Sequence, residues 1–367
     1  MQNRPANLIQ HSTIAPASVI ELLKSTLIGT EGSLYQLLDT EEKIHQLDQP
    51  HFFFIERNKK TLGTVTICER SVSTQSENIK ALYCRYFAFD PVFQIAKNKK
   101  NSTSNSSTKQ PGNGNSIFDK HWQKIFDSGN LTDEENQNRK TFFWAYVDPQ
   151  NLRSFNMNAR FGFETIGTFN TISFSRFYPK KNENVHRLQK SEQSNVLAQI
   201  RDFYSDYSLF SDVRLFDADN YFVFKENGKI VAGIHANPTR FKIVSLPGFT
   251  GKLLVKILPF LPIMKKIINP KNHRFLATEG IFWSPGHEDK IEKLLNGVLA
   301  ITNHNSLLIW EDNCSSKIKN LPVKWGTLQR LKKNNEIMIV AKFINMDSEI
   351  CDAIKKGPKY LSGFDMS

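Results

Sequence analysis

The stretch Tyr146-Val-Asp-Pro-Gln-Asn-Leu-Arg-Ser-Phe-Asn-Met-Asn-Ala-Arg-Phe-Gly-Phe-Glu-Thr-Ile-Gly167 restricts the fold more than any other part of the sequence. The β-rich run 141–147, which leads into it, predicts a strand. Residues 152–161 then predict a helix, which Gly162 ends. A strand, a short turn and a helix in direct succession indicate a sheet with helices packed against it.

Upstream of this stretch, the sequence predicts a three-stranded unit. Residues 51–68 hold two β-rich runs around the polar turn Arg57-Asn58-Lys59-Lys60, which is a hairpin signal. The run 81–90 continues as a third strand, and Pro91 stops it. A hairpin followed by a further strand favours a mainly antiparallel sheet.

Helices are predicted on either side of this unit. Apolar spacing predicts one over Pro16 to Ile28 and a second over Leu34 to Leu47. Residues 97–116 are low in complexity and nearly free of apolar side chains, so burial cannot repay the entropy of ordering them, and we expect an insert. Ser116 can cap a further helix over 117–126.

The second half of the sequence repeats the first in outline. Residues 221–236 echo the first hairpin, with Asn227 in the place that Asn58 holds in the first turn. The run 307–313 echoes 142–151 at a nearly constant offset along the chain. A repeated order of elements at one offset indicates a duplicated architecture.

A chain of 367 residues exceeds what one hydrophobic core usually fills, so two domains are expected. The polar, charged stretch 179–195 has the composition of a linker. We therefore predict a first domain over 1–180, a linker over 181–195 and a second domain over 196–367. Each domain is expected to be α+β (mixed α/β), with a mixed, mainly antiparallel sheet flanked by helices.

Composition argues against several classes of site and location. The four cysteines lie far apart with no CxxC motif, so reduced thiols are expected rather than a disulfide framework or a metal site. The first thirty residues lack the basic start and apolar run of a secretory signal, so we expect a cytoplasmic protein. Lysines and prolines interrupt the apolar window 253–268, which excludes a transmembrane helix there.

A net charge of +12 favours contact with anionic ligands or surfaces. No RNP-like sequence, zinc knuckle or focused basic helix is present, so nucleic acid is not the expected partner. The stretch 252–266 combines apolar residues with lysines. It could cover a substrate groove or touch a membrane surface, or it could form a buried, proline-broken helix.

Residues 146–167 resemble the fifth strand, fourth helix and following turn of the GNAT superfamily of acyltransferases. The family pattern is matched by Asn151, Ser154, Met157, Phe161, Gly162 and Phe163. Asn158 stands where the family usually has a tyrosine that reprotonates the departing thiolate of coenzyme A. The resemblance implies two tandem GNAT-like domains, with acetyl-CoA or another acyl-CoA as co-substrate near Asn151, Ser154 and Asn158.

The phosphate loop of the family resembles Lys109-Gln-Pro-Gly112-Asn-Gly114, with lysine in place of the usual first residue. Its glycines would let backbone amides approach a pyrophosphate, and the helix that begins near Ile117 would add its positive end. The loop lies well beyond the strand that it should follow, so a flexible insert with no phosphate role is the alternative. In the second half, the acidic residues of 279–290 would repel a pyrophosphate, so that domain is expected to be degenerate for the cofactor.

In a GNAT-like site the central strands diverge, and pantetheine pairs with one of them as an added strand does. The resemblance places that strand at 81–90. Backbone amides at Phe87, Ala88 and Phe89 would then polarise the thioester oxygen.

An acceptor amine must lose a proton, and Glu69, at the end of a predicted strand, is the first candidate for the base. Tyr83 and Arg85 share one face of the next strand and could point at the acceptor. Ordinary sheet side chains are the alternative for all three.

The sequence thus predicts an N-acyltransferase that moves an acetyl or longer acyl group from acyl-CoA to the amine of a small molecule or peptide. A non-catalytic binding protein with the same fold is one alternative. A lipid-associated acyltransferase that contacts a membrane peripherally through 253–268 is another.

Overall fold

The computed structural model describes residues 9–30, 33–74, 77–90, 117–132, 139–257, 260–331 and 336–367. Within these ranges thirteen strands form one mixed sheet with helices packed against it, which confirms the predicted fold class of a mixed sheet flanked by helices. In chain order the elements are β1 (Gln10–Ser12), α1 (Ala17–Ser25), β2 (Leu34–Leu37), α2 (Thr40–His45), β3 (Pro50–Arg57), β4 (Lys60–Ser73), β5 (Asn78–Phe89), α3 (Ile117–Ser128), β6 (Thr141–Val147), α4 (Leu152–Arg160), β7 (Glu164–Ser175), β8 (Val185–Arg187), α5 (Gln193–Phe203), β9 (Tyr221–Glu226), β10 (Lys229–Ser245), α6 (Gly248–Ile257), α7 (Pro262–Ile267), β11 (His273–Trp283), α8 (Lys290–Thr302), β12 (Ser306–Asp312), α9 (Thr327–Leu331), β13 (Ile337–Ile344) and α10 (Ser348–Lys356).

The sheet is continuous across both halves of the sequence. Its strand order is β1-β3-β4-β5-β6-β13-β7-β12-β11-β10-β9-β8, and β2 pairs with β10. Antiparallel pairs dominate, and the parallel pairs recorded among the described strands are β5 with β6 and β11 with β12. The halves also exchange strands, because β13 lies between β6 and β7 while β2 joins the second half. The domain limits at 180 and 196 stay a prediction, and the linker between them contains β8 and the start of α5.

Both predicted hairpins form, and their turns share one geometry. In the first turn, Asn58 and Lys59 have φ angles of 51° and 60°. In the second, Asn227 and Gly228 have φ angles of 51° and 77°. Two successive positive φ values are typical of a type I′ turn, whose twist matches that of the paired strands. Asparagine recurs at this position because it tolerates left-handed backbone better than most residues.

β3 is buried on both faces because helices cover both sides of this part of the sheet. Phe52 and Phe54 enter the core beneath α1, whereas Phe53 and Ile55 enter the core beneath α3. A strand that is covered on both faces has a continuous apolar run rather than an alternating one. This accounts for the unbroken run of buried residues at 52–55.

Two sequence-based expectations about local structure are wrong. Residues 34–37 form a strand rather than part of a helix, because their backbone pairs with 241–245 of β10. The stretch 252–266 is divided between α6 and α7, as a proline-broken helix would be, but it is not buried, because several of its large apolar side chains are exposed. Among the described residues, every helix is too short or too polar to cross a membrane.

The segment 360–367 fixes the second half of the chain to the first. The Asp365 carboxylate accepts two hydrogen bonds of 2.6 Å from Arg70 on β4. Arg85 on β5 donates to the Phe364 carbonyl at 2.8 Å. The Arg70 and Asp365 side chains are 10% and 2% exposed, so this bidentate ion pair is largely buried.

The same segment also contacts cations and acids from other elements. The Phe364 ring lies 3.9 Å from the Arg214 guanidinium and 5.1 Å from the Lys43 ammonium. The Ser362 hydroxyl donates to Glu279 of β11. Contacts with both halves make 360–367 part of the core rather than a loose tail.

Replacing Asp365 by alanine should lower the free energy of unfolding by about 3 to 5 kcal/mol, because Arg70 would stay buried without its partner. Urea denaturation measures this loss. The control is Glu41→Ala, which removes the Lys24–Glu41 pair, whose side chains are about half exposed; it should leave the urea midpoint unchanged. Equal midpoints for wild type and Asp365→Ala would contradict the structural role of the segment.

Candidate active site

β5 and β6 run side by side for only part of their length. They pair in parallel over 80–83 and 141–144. Beyond these residues, no pair forms between the described stretches 84–89 and 145–147. β5 instead continues against β4 to its end at Phe89. The divergence that the family resemblance implies is therefore present, and none of the described strands pairs with this edge of β5 over 84–89.

The divergence coincides with a bulge in β5. Thr66 pairs with Arg85 and Thr64 with Ala88, so β5 carries one residue more than β4 between these pairs. Tyr86 lies in the bulge at a φ of 47°, a conformation that a bulky side chain rarely adopts. Because a bulge bends the strand that contains it, this one turns the end of β5 away from β6.

An apolar cavity of about 90 Å³ lies where the two strands part. The strands supply part of its wall, and α3 and α4 supply the rest. Its lining residues are Val65, Cys84, Phe87, Trp122, Phe126, Ala145, Tyr146, Val147, Ser154, Met157, Asn158 and Phe161. Mostly apolar walls with a few polar groups are typical of sites for small organic ligands.

The beginning of α4 supplies the polar groups at this cavity. Asn151 caps the helix, since its side-chain oxygen accepts a hydrogen bond of 3.1 Å from the Ser154 amide. One turn further on, Asn158 donates to the Ser154 carbonyl at 2.8 Å. Ser154 and Asn158 line the cavity, whereas Asn151 acts at the helix end.

The predicted thioester-binding residues lie at the end of β5, beyond its last pair with β6. Phe87 lines the cavity and lies edge-on to Phe89, with ring centroids 5.0 Å apart. Ala88 between them is buried, and the Arg153 guanidinium of α4 lies 5.4 Å from the Phe89 ring. The predicted phosphate-loop residues lie outside the described residues: Lys109, Gly112 and Gly114.

Tyr83 and Arg85 share one face of β5, as predicted, and that face lies beneath the segment 360–367. The Tyr83 hydroxyl donates to the Asp365 carbonyl at 3.3 Å, and burial raises the pKa of Tyr83 well above its usual range. Neither side chain lines the cavity. The sequence signal for this segment is weak: the acidic Asp365 lies between the apolar residues Phe364 and Met366.

Glu69 on β4 contacts a histidine and a lysine. Its carboxylate lies 3.3 Å from the His51 ring nitrogen and 2.7 Å from the Lys80 ammonium. The hydrogen bond from His51, together with the contact to Lys80, lowers the pKa of Glu69 to about 2 despite its partial burial. A carboxylate of such low pKa is a weak proton acceptor at neutral pH.

The second half of the chain repeats the divergence. β11 and β12 pair in parallel only over 276–277 and 307–308. β11 also carries one residue more than β10 just beyond that point, and Gly280 within this bulge has a φ of 59°. Gly280 thus holds the place in the second half that Tyr86 holds in the first.

Tyrosine side chains occupy the second opening. The Tyr204 hydroxyl donates to the Ile281 carbonyl at 2.7 Å, and the Tyr221 hydroxyl donates to the Gly280 carbonyl at 2.6 Å. Backbone groups of the bulge are therefore satisfied from within the protein. The cavity that remains measures about 20 Å³, which is room for about one water molecule.

A single position contributes to the difference in size between the two cavities. The residue that follows the last parallel pair is Ala145 on β6 and Ile309 on β12. Ala145 lines the first cavity, and Ile309 lines the second. A methyl group leaves space that the larger isoleucine side chain fills.

Chemistry at the first cavity would depend on backbone groups and on these few side chains. Among the described residues, no group of three or more His, Cys, Asp or Glu side chains is arranged to hold a metal ion. Sequence reasoning overlooked Trp122, Phe126 and Ala145, which line the cavity. Their spacing is that of ordinary core residues, so the sequence carries no separate signal for them.

No family model matches the sequence, and no curated protein sequence matches it. Solved structures do match its fold. N-myristoyltransferase of Saccharomyces cerevisiae with bound myristoyl-CoA superposes at a TM-score of 0.55 and 8% identity, over 93% of this chain and 85% of that chain. The same enzyme with bound myristoyl-CoA and inhibitors gives 0.54 at 9% identity, over 97% and 87%.

A GCN5-related N-acetyltransferase of Sphaerobacter thermophilus aligns over 92% of this chain and 96% of that chain, at 9% identity and a TM-score of 0.45. At such low identity, the likeness to the yeast enzyme shows the fold and not the activity. The chain therefore has the GNAT-like fold that residues 146–167 predict.

Proposed function

We propose that the protein is an N-acyltransferase that takes an acetyl or longer acyl group from acyl-CoA in the cleft between β5 and β6. The observation that carries this proposal is the divergence of these strands over an apolar cavity of about 90 Å³. The yeast N-myristoyltransferase of similar fold binds myristoyl-CoA, which supports the same class of co-substrate here.

In this proposal the pantetheine arm of the cofactor lies along the free edge of β5. An extended chain with amide groups pairs with an open strand edge as an added strand does. The backbone amides of Phe87, Ala88 and Phe89 are the candidates to polarise the thioester carbonyl, because the bulge at Tyr86 precedes them. The acyl group then packs in the cavity beside Ser154 and Asn158.

The remaining cofactor contacts come from the start of α4 and from the insert. Asn151 orders the first turn of the helix, whose free amides favour an anion. Lys109, Gly112 and Gly114 remain the proposed phosphate loop, on the strength of the motif alone.

The second half would carry no acyl-CoA and would instead support the first. Tyr204 lines its corresponding cleft, and the hydroxyls of Tyr204 and Tyr221 donate to backbone carbonyls of the bulge. Matching type I′ turns and matching bulges at Tyr86 and Gly280 support a duplication of one ancestral unit. The acceptor is a small-molecule or peptide amine, which the sheet alone does not define further.

The acceptor amine must reach the thioester in its neutral form, and we assign its proton to water rather than to Glu69. That carboxylate is held by His51 and Lys80, and a pKa of about 2 makes it a poor base. Tyr83 and Arg85 are assigned to packing beneath the 360–367 segment rather than to acceptor binding.

Replacing Ala145 by isoleucine, the residue at the equivalent position of the second half, should close the cleft and abolish acyl-CoA binding. Thermal shift and calorimetric titration with acetyl-CoA and longer acyl-CoAs measure this. Wild type should be stabilised by about 2.7 kcal/mol at a ligand concentration of 100 times the dissociation constant.

The matched control is Ile309→Ala, which opens the second cleft. It should cost about 2 to 5 kcal/mol of stability and leave acyl-CoA affinity unchanged. If wild type binds no thioester, the non-catalytic alternative replaces this proposal. If Ile309→Ala loses binding while Ala145→Ile retains it, the cofactor belongs to the second half.

Replacing Glu69 by glutamine should keep the rate of acyl transfer within a few-fold of the wild-type rate. Loss of a general base would instead lower that rate by a factor of about 10² to 10⁴. The same change should alter acid stability. Because the folded-state pKa of Glu69 is below its unfolded value, its contribution is complete above about pH 5 and is lost as the pH falls toward about 2.

The stability advantage of wild type over Glu69→Gln should therefore shrink across that range in urea denaturation at stepped pH. A rate loss of about 100-fold or more in Glu69→Gln, with its fold intact, would restore the carboxylate as the base.

A further inference from the structure

A ridge of exposed apolar side chains lies on α6, on α7 and at residues 260–261 between them. Phe260 is 82% exposed and Ile263 is 56% exposed. We call this surface the apolar ridge, and it consists of Leu253, Ile257, Phe260, Leu261 and Ile263. Neighbouring large apolar side chains left in water are a mark of an interaction surface rather than of a core.

In the stretch of sequence that carries the apolar ridge, every charged residue is basic. Residues 240–272 contain seven lysines and arginines and no aspartate or glutamate, although the whole chain has 36 acidic residues. The exposed lysines in this stretch are Lys242, Lys256, Lys265, Lys266 and Lys271. Apolar side chains and lysines in a stretch that has no acidic residue suit a membrane surface, which is negatively charged outside and apolar beneath.

An aromatic residue from the first half extends the same surface. Tyr178, which is 67% exposed, lies beneath the Lys266 ammonium at 4.2 Å from its ring centroid. Exposed tyrosine beside lysine is a combination favoured at membrane interfaces, where the ring enters the headgroup region and the cation contacts phosphate.

We propose that the apolar ridge and its lysines form a docking surface for an anionic lipid membrane, on which the protein sits peripherally. Phe260, Leu261 and Ile263 enter the boundary between headgroups and acyl chains, and Lys256, Lys265 and Lys266 contact the anionic headgroups. The charge pattern argues against a second copy of the same surface, because lysines would then face lysines.

The ridge is connected to the proposed acyl-CoA cleft through β2. Ile243 of β10, just before α6, pairs with Tyr35. In the loop that leads into β2, the Thr30 hydroxyl donates to the Asp148 carboxylate at 2.6 Å, and Asp148 directly follows β6. These contacts link the strand before α6 to the residue that directly follows β6. The membrane proposal itself does not depend on acyl-CoA binding.

Vesicle flotation of the full chain, without coenzyme A, tests the proposal. Wild type should float with vesicles of phosphatidylcholine and phosphatidylserine, should not float with phosphatidylcholine alone, and should be released by high salt. The triple variant Lys256→Glu, Lys265→Glu and Lys266→Glu should bind at least about 100-fold more weakly.

The charge control reverses three exposed lysines elsewhere, Lys229→Glu, Lys319→Glu and Lys356→Glu, and should bind as wild type. This control has the same net charge as the test variant. A difference in vesicle binding between the two therefore depends on where the substituted lysines lie. A second test, Phe260→Ser with Ile263→Ser, should bind weakly even at low salt, whereas the control Ile14→Ser with Val213→Ser should not. Equal melting temperatures establish that the variants are folded.

Absence of wild-type flotation with anionic vesicles would overturn the proposal. Equal flotation of the two charge variants would overturn it as well. If light scattering finds a dimer that Phe260→Ser with Ile263→Ser converts to a monomer, and neither form floats, the ridge is an interface between copies of this chain. All of these measurements are made without a thioester. A negative result for membrane binding therefore does not bear on the acyl-CoA proposal, which has a separate test.

Discussion

Strand β5 pairs with β6 over residues 80–83 and then diverges from it. The proposed chemistry depends on the backbone edge of β5 beyond this point. The bulge around Tyr86 imposes the bend, because an extra residue cannot be accommodated in a regular ladder. Backbone groups at an open sheet edge cost free energy unless they find hydrogen-bonding partners. The amide groups of a pantetheine chain can supply such partners.

The two halves of the chain use the same backbone device with different contents. In the second half, hydroxyls of Tyr204 and Tyr221 satisfy the bulge, and Ile309 takes the space that Ala145 leaves in the first. The filled cleft gives a rigid support, and the segment 360–367 ties the halves together through buried charge. The cleft of the second half is thus nearly filled, whereas that of the first half keeps a cavity of about 90 Å³.

The sequence predicted those parts of the structure that depend on local interactions. The hairpin turn around Asn58 and the helix end at Gly162 follow from the preferences of single residues. Strand exchange did not follow, because β13 pairs with β6 and β7 over a long chain separation that no local pattern encodes. The helix predicted over residues 34–37 does not form, because their pairing with the distant strand β10 outweighs their local helix preference.

Hydrogen exchange of the backbone amides, read by mass spectrometry with and without a non-reactive thioether analogue of acetyl-CoA, tests the central claim most directly. The account predicts slower exchange at 84–89 on addition of the analogue, because the open edge of β5 gains hydrogen-bonding partners. Residues 278–283 of β11 should not change, because that opening is already filled. Protection at 278–283 with none at 84–89 would contradict it.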